Sequence, residues 1–166
     1  MGYSGIIATD SNYKFMRIGM NCVSIESSHI MAMMASLMTE KDLVIAISHS
    51  GETEEIIKTV EIAKQSNAKV ISITGNDSSR LENNSDVSLH YIAKETKLEI
   101  GSISSKLAQM FLIDMLYVEI IKKKLNKDAL NKDALNKDAL NKDVLNKEII
   151  ENEIKPISTR AVNLFK

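Results

Sequence analysis

One cysteine, one proline and no tryptophan occur in the 166 residues of this chain. A lone thiol, Cys22, cannot close an internal disulfide, which excludes the stapled scaffolds of small secreted proteins. Set beside Val23 on a strand-like run, it reads as a core residue rather than a nucleophile. His29, His49 and His90 lie far apart, and none has a second histidine or cysteine at ligand spacing, so no metal site is visible. No stretch approaches the roughly 20 apolar residues of a membrane span, and the start lacks a basic region followed by an apolar signal core. The cytoplasm is therefore the expected compartment. The formal net charge is −1, without the basic stripe of a nucleic-acid-binding domain. What the chain does have is an apolar content of 44%, ample for one domain with a core plus an appendage.

The apolar run Leu43-Val44-Ile45-Ala46-Ile47 is followed by Ser48-His49-Ser50-Gly51-Glu52-Thr53. An amphipathic helical pattern then covers residues 53–65, with Ile56, Ile57, Val60, Ile62 and Ala63 on its apolar side. A short run rich in β-branched residues, a hydroxyl-rich glycine turn and a helix are the parts with which a parallel strand delivers a phosphate site. Ser48, Ser50 and Thr53 offer hydroxyl donors, and Gly51 permits backbone angles that strain any residue with a Cβ. The first-turn amides of the helix lack intrahelical acceptors and its dipole favours an anion, so phosphate fits there without a lysine. Glu52, Glu54 and Glu55 are themselves anions at that helix end, however. Ser50 or Thr53 serves equally well as an ordinary N-cap with acids in the first turn. Spacing alone leaves both readings open.

Helix-like segments near residues 5–16, 29–38, 53–65 and 103–123 alternate with strand-like runs near 22–26, 43–47, 69–74 and 87–92. Such alternation predicts a layered α/β fold with a buried parallel sheet, right-handed crossovers and ligands outside the carboxyl ends of the strands. The serine loop falls at one of those ends.

From Asp42 to Thr53 the sequence resembles the signature of SIS (sugar isomerase) domains, which bind phosphosugars. Further matches follow in family order. Gly2-Tyr3-Ser4-Gly5-Ile6-Ile7-Ala8 is similar to the first glycine and serine loop, and Lys14-Phe15-Met16-Arg17-Ile18-Gly19 to the end of the next helix. Val70-Ile71-Ser72-Ile73-Thr74-Gly75 resembles the following strand and Ser85-Asp86-Val87-Ser88-Leu89 the one beyond. Glu95, Ser104-Ser105-Lys106-Leu107-Ala108-Gln109 and Ile113-Asp114-Met115-Leu116-Tyr117 resemble the closing helix of the SIS domain in RpiR-type transcriptional regulators.

The resemblance covers residues 2–124 and implies a three-layer α-β-α sandwich on a five-stranded parallel sheet, usually dimeric, that takes a sugar phosphate. The ligand contacts it implies are Ser4, Ser48, Ser50, Gly51, Thr53, Glu95 and Ser105, with no catalytic residue, metal or cofactor. Ser105 equally suits a helix cap and Glu95 a solvated loop acid. Against the family pattern the chain starts inside the first loop. The first helix and strand, and a helix-turn-helix domain ahead of them, are expected to be missing. The chain is thus expected to be the effector-binding part of an RpiR-family regulator, a homodimer that meets DNA only through an absent N-terminal domain.

From Leu125 the unit Leu-Asn-Lys-Asp-Ala repeats at Leu130, Leu135 and Leu140, with Val144 in place of the last alanine. Five residues advance a helix by about 500°, a net 140°, so the leucines walk around the axis and form no coiled-coil stripe. Asp128, Asp133, Asp138 and Asp143 each lie four residues before a lysine, which adds about 0.2–0.5 kcal/mol per pair against the poor helix propensity of Asn and Asp. A marginal helix or flexible spacer over 125–148 is expected, followed by a tail over 149–166.

Met31, Met33, Met34 and Met38 read as packing in one helix. Three functions remain open on sequence: a sugar-phosphate sensor domain, an aldose–ketose phosphate isomerase using Glu95 or His49 as its base, and a degenerate fragment that folds poorly.

Overall fold

Residues 2–93 and 103–135 are described by a computed structural model of the chain, with side chains as far as residue 126. The chain divides into two compact units, Met1–Ile121 and Lys122–Lys166. Eight elements follow one another: α1 (Tyr3–Arg17), α2 (Ser28–Ser36), β1 (Leu43–Ile47), α3 (Glu54–Gln65), β2 (Lys69–Thr74), α4 (Arg80–Asn83), β3 (Val87–His90) and α5 (Ile103–Leu135). The strands form a parallel sheet in the order β1-β2-β3, with Val44 opposite Val70 and Ile73 opposite Leu89.

Alternation along the strands explains the layers. Ile45 and Ile47 of β1, Ile73 of β2 and Leu89 of β3 pack with Ile7 and Ala8 of α1 and with Ala108, Leu112, Ile113 and Leu116 of α5. Val44, Ala46 and Val70 turn the other way, onto Ile56 and Val60 of α3 and Leu81 of α4. Behind them Ala35 of α2 meets Ala63 of α3. Both sheet faces are covered, as a parallel sheet requires, and the result is an α-β-α sandwich.

α1 and α5 run side by side in the same direction. Ser4 meets Gln109, Lys14 reaches Asp114 at 2.5 Å, and the Phe15 and Tyr117 rings are 6.3 Å apart. Burial works against the Lys14 charge, but its bonds to Asp10 and Asp114 prevail and raise its pKa. α3 is capped at Ser66, after which Asn67 takes φ of 63° and its amide returns to the Lys64 carbonyl, the left-handed conformation that asparagine tolerates. Asp86 ties β2 to β3: its Oδ2 accepts the Val70 amide at 2.8 Å and its own amide donates to the Val70 carbonyl at 2.9 Å.

Four expectations need correction. The run at 22–26 is no strand, and Val23 is 62% exposed. A strand exists only by pairing, and among the described residues β1 pairs with β2 alone, leaving 22–26 no ladder to join. For the same reason the sheet has three strands among the described residues rather than five. The last strand stops at His90, short of residue 92, and α5 continues into the five-residue units as far as Leu135. The units beyond Leu135 and the tail over 149–166 lie outside the described residues. Among those described, no helix is long and apolar enough to cross a membrane.

Candidate functional site

β1 ends at Ile47, and the chain turns through Ser48–Thr53 before α3 begins. Neighbouring elements fasten this turn by its backbone. The Ser48 amide donates to the Ile73 carbonyl at 3.1 Å, the His49 carbonyl accepts the Gly75 amide at 3.0 Å, and the Gly51 carbonyl accepts the Leu81 amide at 3.0 Å. Asn76 Nδ2 donates to the Ser50 carbonyl at 3.0 Å. Gly51 sits at φ of 68°, and a Cβ there would lie 2.3 Å from Ser79 Oγ, so both conformation and space demand glycine.

The hydroxyls organise the interior of the turn. Ser48 Oγ and Thr53 Oγ1 are 3.0 Å apart, the Gly51 amide donates to Ser48 Oγ, and the Glu52 amide donates to Ser50 Oγ. Thr53 is the N-cap residue of α3, yet its side chain makes no cap bond, because its hydroxyl is turned to Ser48. The Thr53 carbonyl accepts the Ile56 amide at 3.1 Å, while its side chain caps none of the first-turn amides of α3. Nor do all the acids gather there. Glu52 Oε1 accepts the Arg80 amide at 2.9 Å, and Glu54 pairs with the Arg80 guanidinium, which holds its carboxyl below the usual carboxylate range and raises Arg80 in turn. Two of the three anions that sequence places at this helix end are engaged by the start of α4.

On the other side of the turn His49 reaches a chain of buried polar groups. Its Nδ1 is 2.9 Å from Tyr91 Oη and 3.3 Å from Ser105 Oγ, and the two rings stack with centroids 5.8 Å apart. Gln109 Nε2 donates to Tyr91 Oη at 2.7 Å, and Ser4 Oγ donates to Gln109 Oε1 at 3.5 Å. A Cβ on Gly75 would come within 2.8 Å of His49 Nδ1, so that glycine makes room for the ring.

Of the residues singled out from sequence, Ser48, Gly51 and Thr53 come together directly and Ser50 lies exposed on the same turn. Ser4 and Ser105 reach the turn through the Gln109, Tyr91 and His49 side chains, and Ser105 is buried with its hydroxyl 3.3 Å from His49 Nδ1. Glu95 lies outside the described residues. Sequence reasoning assigned neither Tyr91 nor Gln109 a ligand role; Gln109 stood out only as the end of the motif Ser104–Gln109, and Tyr91 only as a polar side chain after an apolar run. A separate pocket of ≈ 330 Å³ is lined by Ile6, Thr9, Asp10, Tyr13 and Glu26. Its two carboxylates oppose an anionic ligand. Among the described residues no cluster of histidine, cysteine and acids is arranged to hold a metal ion.

The SIS domain family matches residues 1–119. The chain belongs to the SIS domain family. This SIS domain is 50% identical over 117 residues to an uncharacterized HTH-type transcriptional regulator of Clostridium perfringens, covering 70% of this chain and 42% of that relative. It is 37% identical over 116 residues to the HTH-type transcriptional regulator RpiR of Escherichia coli K12, covering 70% of this chain and 39% of RpiR. The chain thus spans about two fifths of the length of these relatives. Among solved structures, the Vibrio vulnificus NanR protein complexed with ManNAc-6P matches with a TM-score of 0.69 and 28% identity, over 83% of this chain and 55% of that one.

Proposed function

We propose that the chain is the effector-binding domain of an RpiR-type regulator, and that it takes a sugar phosphate at the turn between β1 and α3. The observation that carries this reading is the turn itself: the Ser48 and Thr53 hydroxyls meet on a glycine-dependent backbone at the start of α3, Ser50 lies exposed beside them, and Arg80 engages Glu52 and Glu54. Phosphate would be held by Ser48, Ser50, Gly51 and Thr53, with Ser4, Glu95 and Ser105 toward the sugar. The ManNAc-6P carried by the NanR structure supports a phosphosugar of this kind. DNA contact belongs, in this reading, to the part of such regulators that the chain does not span. The domain works in the cytoplasm as a homodimer, for which exposed Ile6 on α1 and Leu107 and Phe111 on α5 supply apolar surface.

Binding without turnover completes the proposal. An aldose–ketose isomerase needs a base poised to move a proton between adjacent carbons, and His49 Nδ1 already lies within hydrogen-bond distance of the Tyr91 and Ser105 hydroxyls. The test is a thermal-shift series on the full chain with ManNAc-6P, other sugar phosphates and inorganic phosphate, repeated on Ser50→Ala. A ligand at about 100 times its dissociation constant stabilises by about 2.7 kcal/mol, which moves the midpoint of a small domain by several degrees. The expected result is a shift with a sugar phosphate that Ser50→Ala abolishes. A cooperative melt that no sugar phosphate moves overturns the reading, turnover of the ligand replaces it with the isomerase, and a melt without cooperativity makes the chain a degenerate fragment.

A further inference from the structure

The turn Ser48–Thr53 contains no lysine or arginine. Glu52 and the first two residues of α3, Glu54 and Glu55, meanwhile bring three carboxylates to the helix end that favours an anion. Arg80 answers them from α4, and the residues on either side of it are locked to the turn. Ser79 is fully buried, with its hydroxyl where a Cβ on Gly51 would lie, and the Leu81 amide donates to the Gly51 carbonyl at 3.0 Å. So held, Arg80 engages two of the acids by different means. Its backbone amide donates to Glu52 Oε1 at 2.9 Å, and its guanidinium donates to Glu54 Oε1. That hydrogen bond and the guanidinium charge pull Glu54 below the usual carboxylate range, with Lys58 one turn along adding the least. Glu61 is a further acid in the surroundings of Arg80. The Arg80 and Glu54 side chains are 50% and 57% exposed, so their pair contributes little to stability. Its effect falls on the charge that an incoming anion meets.

We propose that Arg80 is a positioning residue that neutralises Glu54 and tethers Glu52, and so sets how tightly the turn takes the phosphate group of a sugar phosphate. This rests on the function proposed above and adds to it a residue on α4, outside the turn, that governs affinity through the acids. The two means are separable. Arg80→Gln keeps the backbone amide, hence the hold on Glu52, and removes only the guanidinium. An unneutralised Glu54 carboxylate then faces the phosphate charge at the first turn of α3, a repulsion that is strongest at low salt and is screened as salt rises.

The experiment is a calorimetric titration of the full chain with ManNAc-6P and with inorganic phosphate, at about 0.02 M and about 0.5 M salt. Arg80→Gln should weaken binding about three- to tenfold at low salt and much less at high salt. Adding Glu54→Gln to Arg80→Gln should restore most of the lost affinity, and Arg80→Lys, which keeps the charge, should retain it. Glu55→Gln added to Arg80→Gln makes the same change in net charge and should recover less. An affinity that Arg80→Gln leaves unchanged overturns the proposal. So does a loss that Glu54→Gln fails to restore, or one that Glu55→Gln restores as fully. Ligand-free melts of the variants should coincide with that of the unaltered chain, because the pair is exposed. An early melt of Arg80→Gln makes the residue a structural one and overturns the proposal too. If no sugar phosphate binds the unaltered chain, the function of the preceding section falls and this inference with it, whereas binding indifferent to Arg80→Gln overturns this inference alone.

Discussion

At Gly51 a single hydrogen atom decides whether the turn exists. A methyl group there would meet Ser79 and would also have to hold φ of 68°, where a residue with a Cβ costs about 1–3 kcal/mol before any clash is counted. Gly51→Ala should lower the thermal midpoint by several degrees, checked by calorimetry, and should weaken any phosphate response along with it. The turn residues were legible in sequence because they are contiguous: six neighbours carry the hydroxyls, the glycine and the cap. The wall of the site was not. Tyr91 stands 42 positions beyond His49 and meets it only when β3 is in place, and Gln109, 18 positions further on, joins through Tyr91 only when α5 is. Counting charges also misjudged the acids, because no spacing rule reveals that Arg80 will take up Glu52 and Glu54 across 28 and 26 residues.

Between elements, Asp86 offers a clear pH signature. Its bond from the Val70 amide, aided by Lys64 and Lys69, holds its carboxyl below the usual aspartate range. A carboxyl that is more acidic folded than unfolded contributes stability above its unfolded pKa and loses it as pH falls through the folded value. The stability curve should therefore drop on its acid flank, from about pH 4 downward. Asp86→Asn should be less stable than the unaltered chain at pH 7 and should lose less between pH 5 and 2, measured by urea denaturation across that range. Strands β1 and β2 were readable to the residue, since their apolar, β-branched runs end at hydroxyl-rich turns. The run at 22–26 also carries β-branched Val23 and Ile25 but fails as a strand, because pairing is a property of two segments and composition describes one.

The whole first unit depends on α1 and α5 closing one face of the sheet. Ile113 is fully buried there among Ile7, Ile47, Ile73 and Tyr91. Ile113→Ala should cost about 2–5 kcal/mol in denaturant unfolding, while leaving helix content near the native level under folding conditions. The layer order was legible from the alternation of runs. That α1 and α5 share a face was not, since nothing in either helix names the other. Their partnership has a consequence in time. Ser4 and Lys14 find their partners 105 and 100 residues later in the chain. At a synthesis rate of about 5–20 residues per second, α1 leaves the ribosome roughly 5–20 s before α5 exists to cover it. For that interval Ile7 and Phe15 lack the α5 side of their shelter, and exposure to chaperones and to misassociation falls on α1 rather than on the turn between β1 and α3.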